Sequence, residues 1–289
     1  MLDNYLYRVE DKGRFIAGYN LCTIDDAVAP VFLFSTLRFI RVLGGEADWK
    51  IGNNEYKLKT GDIIAVNNIE KRQFYKTSDE SFVCDVFAFS PSLLSEVPSF
   101  FSLFYASPMA EVRKMQRVSP YFEQTQMLLD LLKEKISQDN CNSDVKVIMI
   151  SSLFVLVTSN MLDLIGHSSS PEFKLQESVS QRSVSVLLSA LKILGDDIAG
   201  IDGVSDLASK LSVSRGYLTQ IFKKYLGLPA VDYINSCRLD RTIFLLASKE
   251  INVIDAAMES GFKSSSGFYK AFHSVYGVSP KKVLSTIYR

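Results

Sequence analysis

The chain sets 32 Lys and Arg against 32 Asp and Glu in 289 residues, a formal net charge of zero that excludes a uniformly basic nucleic-acid coat and an acidic tail. At 47% hydrophobic and 22% charged, with 15 Gly and 8 Pro, it is a folded protein with a sizeable core, neither disordered nor collagenous. The length is about twice the ~150-residue domain prior, so two domains are expected. Cys22, Cys84, Cys141 and Cys237 stand without CxxC or CxxH spacing, which fits no disulfide framework or zinc site and predicts free thiols. The start, Met1 to Tyr5, lacks the basic end and apolar run of a secretory signal, so the expected location is the cytoplasm.

From Val31 to about Phe89, β-branched and aromatic residues alternate with polar ones between turns at Gly44-Gly45, Gly52-Asn53-Asn54 and Thr60-Gly61-Asp62. This predicts a small antiparallel barrel. Beyond Pro120 the period becomes helical, with Phe122, Leu128, Leu129, Leu131, Leu132 and Ile136 on one side. A second helix follows from about Asp144 to Ile165. Its uncharged stretch, Val147 to Leu162, is broken by Ser151, Ser152, Thr158 and Ser159 and is shorter than the ~20 residues of a membrane span, so it reads as a buried helix and no membrane is expected as partner. The two helices are expected to pack on the barrel and each other, with a second subunit as the further partner that would make a homodimer. The polar run from Ser168 to Gln181 reads as a linker. Divided there, the charge is no longer balanced: residues 1–179 hold 18 basic and 23 acidic side chains, residues 180–289 hold 14 and 9.

The last third contains an internal repeat. Ser214, Leu218, Phe222 and Gly227 recur fifty positions later as Ser264, Phe268, Phe272 and Gly277, and Leu207-Ala208 recurs as Ala256-Ala257 at an offset of forty-nine, so one extra residue sits in the second turn. Each unit reads as a short helix, a turn, and a second helix opened by a capping Ser, a helix-turn-helix at 203–226 and again at 252–276. Apolar spacing turns Leu218, Ile221, Phe222 and Tyr225 inward, with Phe268, Ala271, Phe272 and Val275 in the second copy. Arg215, Gly216, Thr219, Gln220 and Lys223 are left outward in the first, and Ser265, Ser266, Tyr269, Lys270 and His273 in the second. Hydroxyls, an amide and long cations suit base edges and phosphates in a major groove, although a solvated helix face has the same composition.

The run GFKSSSGFYKAFHSVYGVSP, Gly261 to Pro280, resembles the signature of the AraC/XylS family of bacterial transcription regulators, and Leu207 to Val283 follows that family's double helix-turn-helix pattern. Gly261-Phe262, Ser266, Phe268, Phe272, Gly277 and Pro280 stand where the pattern puts them, as do Ala208, Leu218, Phe222, Gly227 and Arg238. The resemblance implies a long central helix at about Ala230 to Ser248 and base-reading positions Gly216, Thr219, Gln220, Ser265, Ser266, Gly267, Tyr269 and Lys270. Gly216 and Gly267 replace larger side chains, each at ~1 kcal/mol of helix propensity, which leaves close backbone approach to DNA and simple tolerance near a helix start as alternatives. Ala256 stands where a bulkier aliphatic is usual.

The first part resembles the family's cupin-type regulatory domain, most clearly at Trp49 to Tyr75. The fold class implied is α+β: a cupin-like antiparallel barrel with two helices (1–167), a linker (168–181) and an all-α DNA-binding domain (182–289). The chain's two histidines, His167 and His273, lie outside the barrel, so a metal-dependent cupin lacks its ligands; no metal, cofactor or catalytic residue is expected and the chain reads as no enzyme. Arg72 stands near a position where cupins often carry histidine. Arg38 and Arg41 interrupt an apolar strand on opposite faces, and a buried guanidinium needs an anionic or polar partner. That partner is either a small effector, walled by Trp49, Phe39 or Tyr75, or Glu46, Asp48 or Asp62 of the chain itself. Arg38, Arg41, Trp49, Arg72 and Tyr75 are thus the candidate effector residues. The expected partners are double-stranded promoter DNA, a small-molecule effector, a second copy of the chain and, for an activator, RNA polymerase. The alternatives are a regulator controlled only by a protein partner, and a cupin-type enzyme with a helical appendix.

Overall fold

The structure is a computed structural model and describes residues 7–11, 14–25, 28–32, 36–70, 72–95, 102–106, 113–115, 117–138, 143–167, 181–248, 251–281 and 283. Among the described residues nine strands come first: β1 (Tyr7–Asp11), β2 (Arg14–Ile24), β3 (Val28–Phe32), β4 (Leu37–Gly44), β5 (Glu46–Ile51), β6 (Asn54–Lys59), β7 (Ile63–Val66), β8 (Arg72–Lys76) and β9 (Phe82–Phe89). They pair antiparallel in two sheets, ordered β1-β2-β9-β4-β7 and β3-β8-β5-β6.

Side-chain alternation divides the first sheet cleanly. Ile40, Val42, Ile64, Cys84 and Val86 face the second sheet and meet Trp49, Ile51, Tyr56, Leu58 and Phe74 there. Leu37, Phe39, Ala65, Phe87 and Phe89 face the other way, onto helices. The strands begin at Tyr7, well before the expected Val31. The reason is that β2 is an inner strand that buries apolar side chains on both faces, Ala17 and Tyr19 toward the helices and Cys22 and Ile24 between the sheets, while Leu21 and Thr23 stay exposed. A strand buried on two faces shows little polar alternation.

Helix α1 (Phe122–Ser137) buries Thr125, Leu128, Leu129, Leu132 and Ile136, while Leu131 stays exposed. Helix α2 (Ser143–His167) contains the uncharged stretch, and it is buried on one side only, through Ile150, Phe154, Val157 and Met161. Val145, Ile148, Met149 and Leu156 remain exposed on it. Residues 168–180, expected as linker, lie outside the described residues, and Gln181 opens α3 (Gln181–Asp197). Then come α4 (Val204–Lys210), α5 (Arg215–Leu226), α6 (Ala230–Ser248), α7 (Val253–Glu259) and α8 (Ser265–Tyr276).

The boundary between sheets and helices is packed rather than open. Leu187, Leu188, Leu191 and Leu194 of α3 share one apolar core with Tyr19, Phe89 and Leu94 on one side and Leu207, Leu218 and Phe222 on the other. Close approach is visible at Gly195, where a Cβ would stand 3.3 Å from Ser90 Oγ, just before the 3-10 turn Pro91–Ser95.

Candidate functional site

The two repeated helices are built by the same local chemistry. Ser214 Oγ accepts from the Tyr217 amide at 3.1 Å, and fifty residues on Ser264 Oγ accepts from the Gly267 amide at 3.1 Å, each satisfying an amide that the first turn leaves without a helical partner. Both helices close on a left-handed glycine, Gly227 at φ 73° and Gly277 at φ 69°, whose amides return to Lys223 and His273 carbonyls. The preceding helices α4 and α7 keep the offset of forty-nine, so the extra residue lies in the turn before α8.

Each helix then buries one side. Leu218, Ile221, Phe222 and Leu226 of α5 are buried, as are Phe268 and Phe272 of α8. Arg215, Gly216, Gln220 and Lys223 are exposed and Thr219 half-buried; its hydroxyl donates to the Arg215 carbonyl at 3.0 Å and keeps its lone pairs for an outside donor. On α8, Ser265, Ser266, Gly267, Tyr269, Lys270 and His273 are all exposed. A Cβ built at Gly216 meets nothing within 4 Å, whereas one at Gly267 comes within 3.1 Å of the capping Ser264 Oγ.

Helix α6 fixes the two units to one another through a buried arginine. Arg238 Nη2 donates to the Ile201 carbonyl at 2.6 Å, just before α4, and its guanidinium lies over the Phe262 ring at 5.9 Å, just before α8. Gly261, at φ 97°, fits in this corner because a Cβ there would stand 3.0 Å from Ala199 Cα and 3.1 Å from Arg238 Nε. Lys263 and Asp202 add an ion pair across the same junction at 2.6 Å.

The candidate effector residues separate by face. Arg41 points to the helix side, where its guanidinium meets Asp85 at 2.5 Å and Asp130 at 2.8 Å and bonds the Gln126 side chain at 3.2 Å. Its partners are therefore Asp85 and Asp130 rather than Glu46, Asp48 or Asp62. Tyr75, at 38% exposure, is on the outer face of β8. Arg38, Trp49 and Arg72 share the buried space between the sheets. Arg38 bonds Thr36 Oγ1 at 3.1 Å, and Arg72 donates to the Asn67 carbonyl.

Tyr56, which residue-type reasoning passed over, lies directly opposite Trp49 in the β5–β6 register and shares its face. Neither Trp49 Nε1 nor the Tyr56 hydroxyl meets a hydrogen-bond partner by distance and angle among the described residues. Burial raises the Tyr56 phenol above its ordinary value, and the neighbouring Arg113 can only donate, so the O–H lacks an acceptor. The paired register, set by the turn at Gly52-Asn53, was the signal that joins the two.

A second constellation spans the sheets and the helices. Tyr105 donates to Asn68 Oδ1, and Asn68 Nδ2 donates to the hydroxyl of Tyr233 on α6 at 2.7 Å. Burial holds both phenols far above the ordinary tyrosine value, hence protonated. Asn68 follows Asn67, the residue whose carbonyl Arg72 holds. At the other edge, the Arg8 guanidinium of β1 covers the Phe244 ring of α6 at 4.2 Å.

Comparison with known proteins agrees with this arrangement. A family model described as a helix-turn-helix domain matches residues 207–286. The chain is 28% identical over 166 residues to the Msm operon regulatory protein of Streptococcus mutans, covering 57% of this chain and 55% of that one. It is 30% identical over 79 residues to the melibiose operon regulatory protein of Escherichia coli, covering 27% and 26%. The chain thus spans about half the length of the first relative and about a quarter of the second. Among solved structures, ToxT from Vibrio cholerae superposes with a TM-score of 0.59 at 17% identity, over 94% of this chain and 98% of that one, a likeness of fold. Another ToxT structure, also from Vibrio cholerae, holds a bound unsaturated fatty acid. Two Ser-capped helices in fifty-residue register, joined by α6, are thus the part of the chain that the helix-turn-helix domain model covers, and the chain is similar there to these operon regulators.

Proposed function

We propose that the chain is a sequence-specific promoter-binding regulator in which residues 182–289 read DNA and residues 1–167 sense a small molecule and dimerise. The repeated outward faces of α5 and α8 carry this reading: two exposed, polar, Ser-capped helices held in fixed relation by Arg238. Arg215, Gly216, Thr219, Gln220 and Lys223 contact one major-groove segment; Ser265, Ser266, Gly267, Tyr269 and Lys270 contact the next. Fluorescence anisotropy with duplexes from the neighbouring promoters tests it. Gln220→Ala and Lys270→Ala should each weaken binding by about 1–3 kcal/mol, and affinity should fall steeply with salt. Unchanged affinity in both variants would overturn the assignment.

For the effector, the two buried donors of Trp49 and Tyr56, with Arg38 and Arg72 on the same face, favour a ligand rich in acceptor oxygens, such as a carboxylate or a polyol. Native mass spectrometry of freshly purified protein looks for it. Tyr56→Phe should reduce ligand occupancy without loss of stability, because it removes a buried hydroxyl that has no acceptor among the described residues. The sign of regulation is activation through RNA polymerase in this reading, and a promoter–reporter assay in cells with and without the gene decides it. The cytoplasm is the location this function requires.

A further inference from the structure

Cys22 on β2 and Cys84 on β9 are directly opposite one another in the strand register, and both side chains face the space between the two sheets. Both are free thiols, and each lies within hydrogen-bonding reach of the other. Opposed residues of an antiparallel pair have Cα atoms about 4.5–5.5 Å apart. That lies inside the roughly 4.4–6.8 Å window of a disulfide. The Cα separation and the shared face that a disulfide requires are therefore already supplied by the strand register. We propose that Cys22 and Cys84 are a reversible dithiol–disulfide pair, oxidised by a hydroperoxide, that cross-links β2 to β9.

The electrostatics favour Cys22 as the attacking sulfur. Its thiol is lowered from the ordinary value, first by the hydrogen bond from Cys84 and against burial, with the Arg38 charge on the same face adding to the effect. Cys84 is raised for the complementary reason, since it keeps its proton to donate and is fully buried. Cys22 also retains 7% exposure where Cys84 has none. Cys237 is the internal contrast: burial pushes it up to about 12. A low thiol beside a resolving thiol is the arrangement of a redox-sensing cysteine.

The step balances with hydrogen peroxide as oxidant. The Cys22 thiolate attacks one peroxide oxygen, the S–O bond forms, the O–O bond breaks, and hydroxide leaves as water. The Cys84 thiol then loses its proton and attacks the sulfenic sulfur; the S–S bond forms, the S–O bond breaks, and the second water departs. Two thiols are oxidised by two electrons and one peroxide is reduced to two waters.

The test uses the full chain, treated with hydrogen peroxide, alkylated, and digested without reductant for mass spectrometry, with circular dichroism confirming that it stays folded. The expected result is loss of two alkylatable thiols with no covalent link between chains, a linked peptide pair containing Cys22 and Cys84, and full recovery with dithiothreitol. Cys84→Ser should leave Cys22 trapped as a dimedone-reactive sulfenic acid, Cys22→Ser should give no such adduct, and Cys237→Ser should oxidise as the parent does. Recovery of Cys22 and Cys84 as free alkylated thiols while the protein is folded, or oxidation at Cys141 or Cys237 first, would overturn the proposal. The parent protein alone decides the linkage, so it stands or falls even where a variant does not fold.

Discussion

Asp62, in the turn between β6 and β7, shows how much one buried carboxylate can organise. It accepts from the Lys59 amide at 3.0 Å, pairs with Lys114 at 2.6 Å and takes two bonds from Arg117, while its own carbonyl receives the Val42 amide at 2.9 Å. Burial alone would raise its carboxyl, but Lys114, the Lys59 amide and Arg117 outweigh burial and hold it below the usual range. A depressed carboxylate adds stability that is fully present above the ordinary value of about 4 and lost as pH falls through the lower folded value. Asp62→Asn should therefore cost about 1–3 kcal/mol at neutral pH. The gap from the parent should close in denaturant titrations repeated toward about pH 3; a gap that does not change with pH would refute the ionic origin. The Gly61-Asp62 pair was visible as a turn in the sequence, yet its partners were not, because Lys114 and Arg117 lie more than fifty residues on.

At the scale of elements, legibility follows the range of the interactions that make each one. Helices α5 and α8 could be read because their caps reach three residues, Ser214 to Tyr217 and Ser264 to Gly267, and their apolar stripes repeat every three or four. Alternation likewise put Arg38 and Arg41 on opposite faces of β4. What alternation could not supply was the β4–β9 register that sets Arg41 opposite Asp85, forty-four residues away. Strand β2 stayed hidden because it buries apolar side chains on both of its faces. Helix α2 differs from its expected burial in a way that leads to a prediction. Ile148 is 64% exposed on it and Met127 is 68% exposed on α1, so both helices present large apolar side chains to solvent. If this face joins two copies, Ile148→Asp should convert a dimer into a folded monomer by light scattering; a parent protein that is monomeric at micromolar concentration would remove the idea.

At the scale of the whole molecule, α3 belongs to two structures at once. Its leucines complete the core under Tyr19, Phe89 and Leu94 and also the core of α4 and α5, with Ser183 bonded to the Tyr217 hydroxyl at 3.0 Å. A shared helix couples the unfolding of its neighbours, so calorimetry of the full chain should show one transition rather than two separable ones. The Tyr105–Asn68–Tyr233 chain lies in the same boundary, and Tyr233→Phe leaves the Asn68 amide without its acceptor. That variant should destabilise the boundary by about 1–3 kcal/mol and, on the proposed function, alter promoter affinity, although Tyr233 is buried and on neither outward face of α5 and α8. Unaltered affinity would mean that the boundary plays no part in DNA binding.

Trp49 is the only tryptophan in the chain, and it lies between the two sheets against Phe74 and Phe82. Its indole emission is consequently a report from the inter-sheet space alone, with no background from helices α3 to α8. Linkage is reciprocal: if occupancy of that space changes promoter affinity, promoter DNA must change the affinity of that space for its ligand by the same factor. Adding promoter duplex and recording the colour and intensity of this one fluorophore would therefore read the conversation between the halves optically, in unlabelled protein.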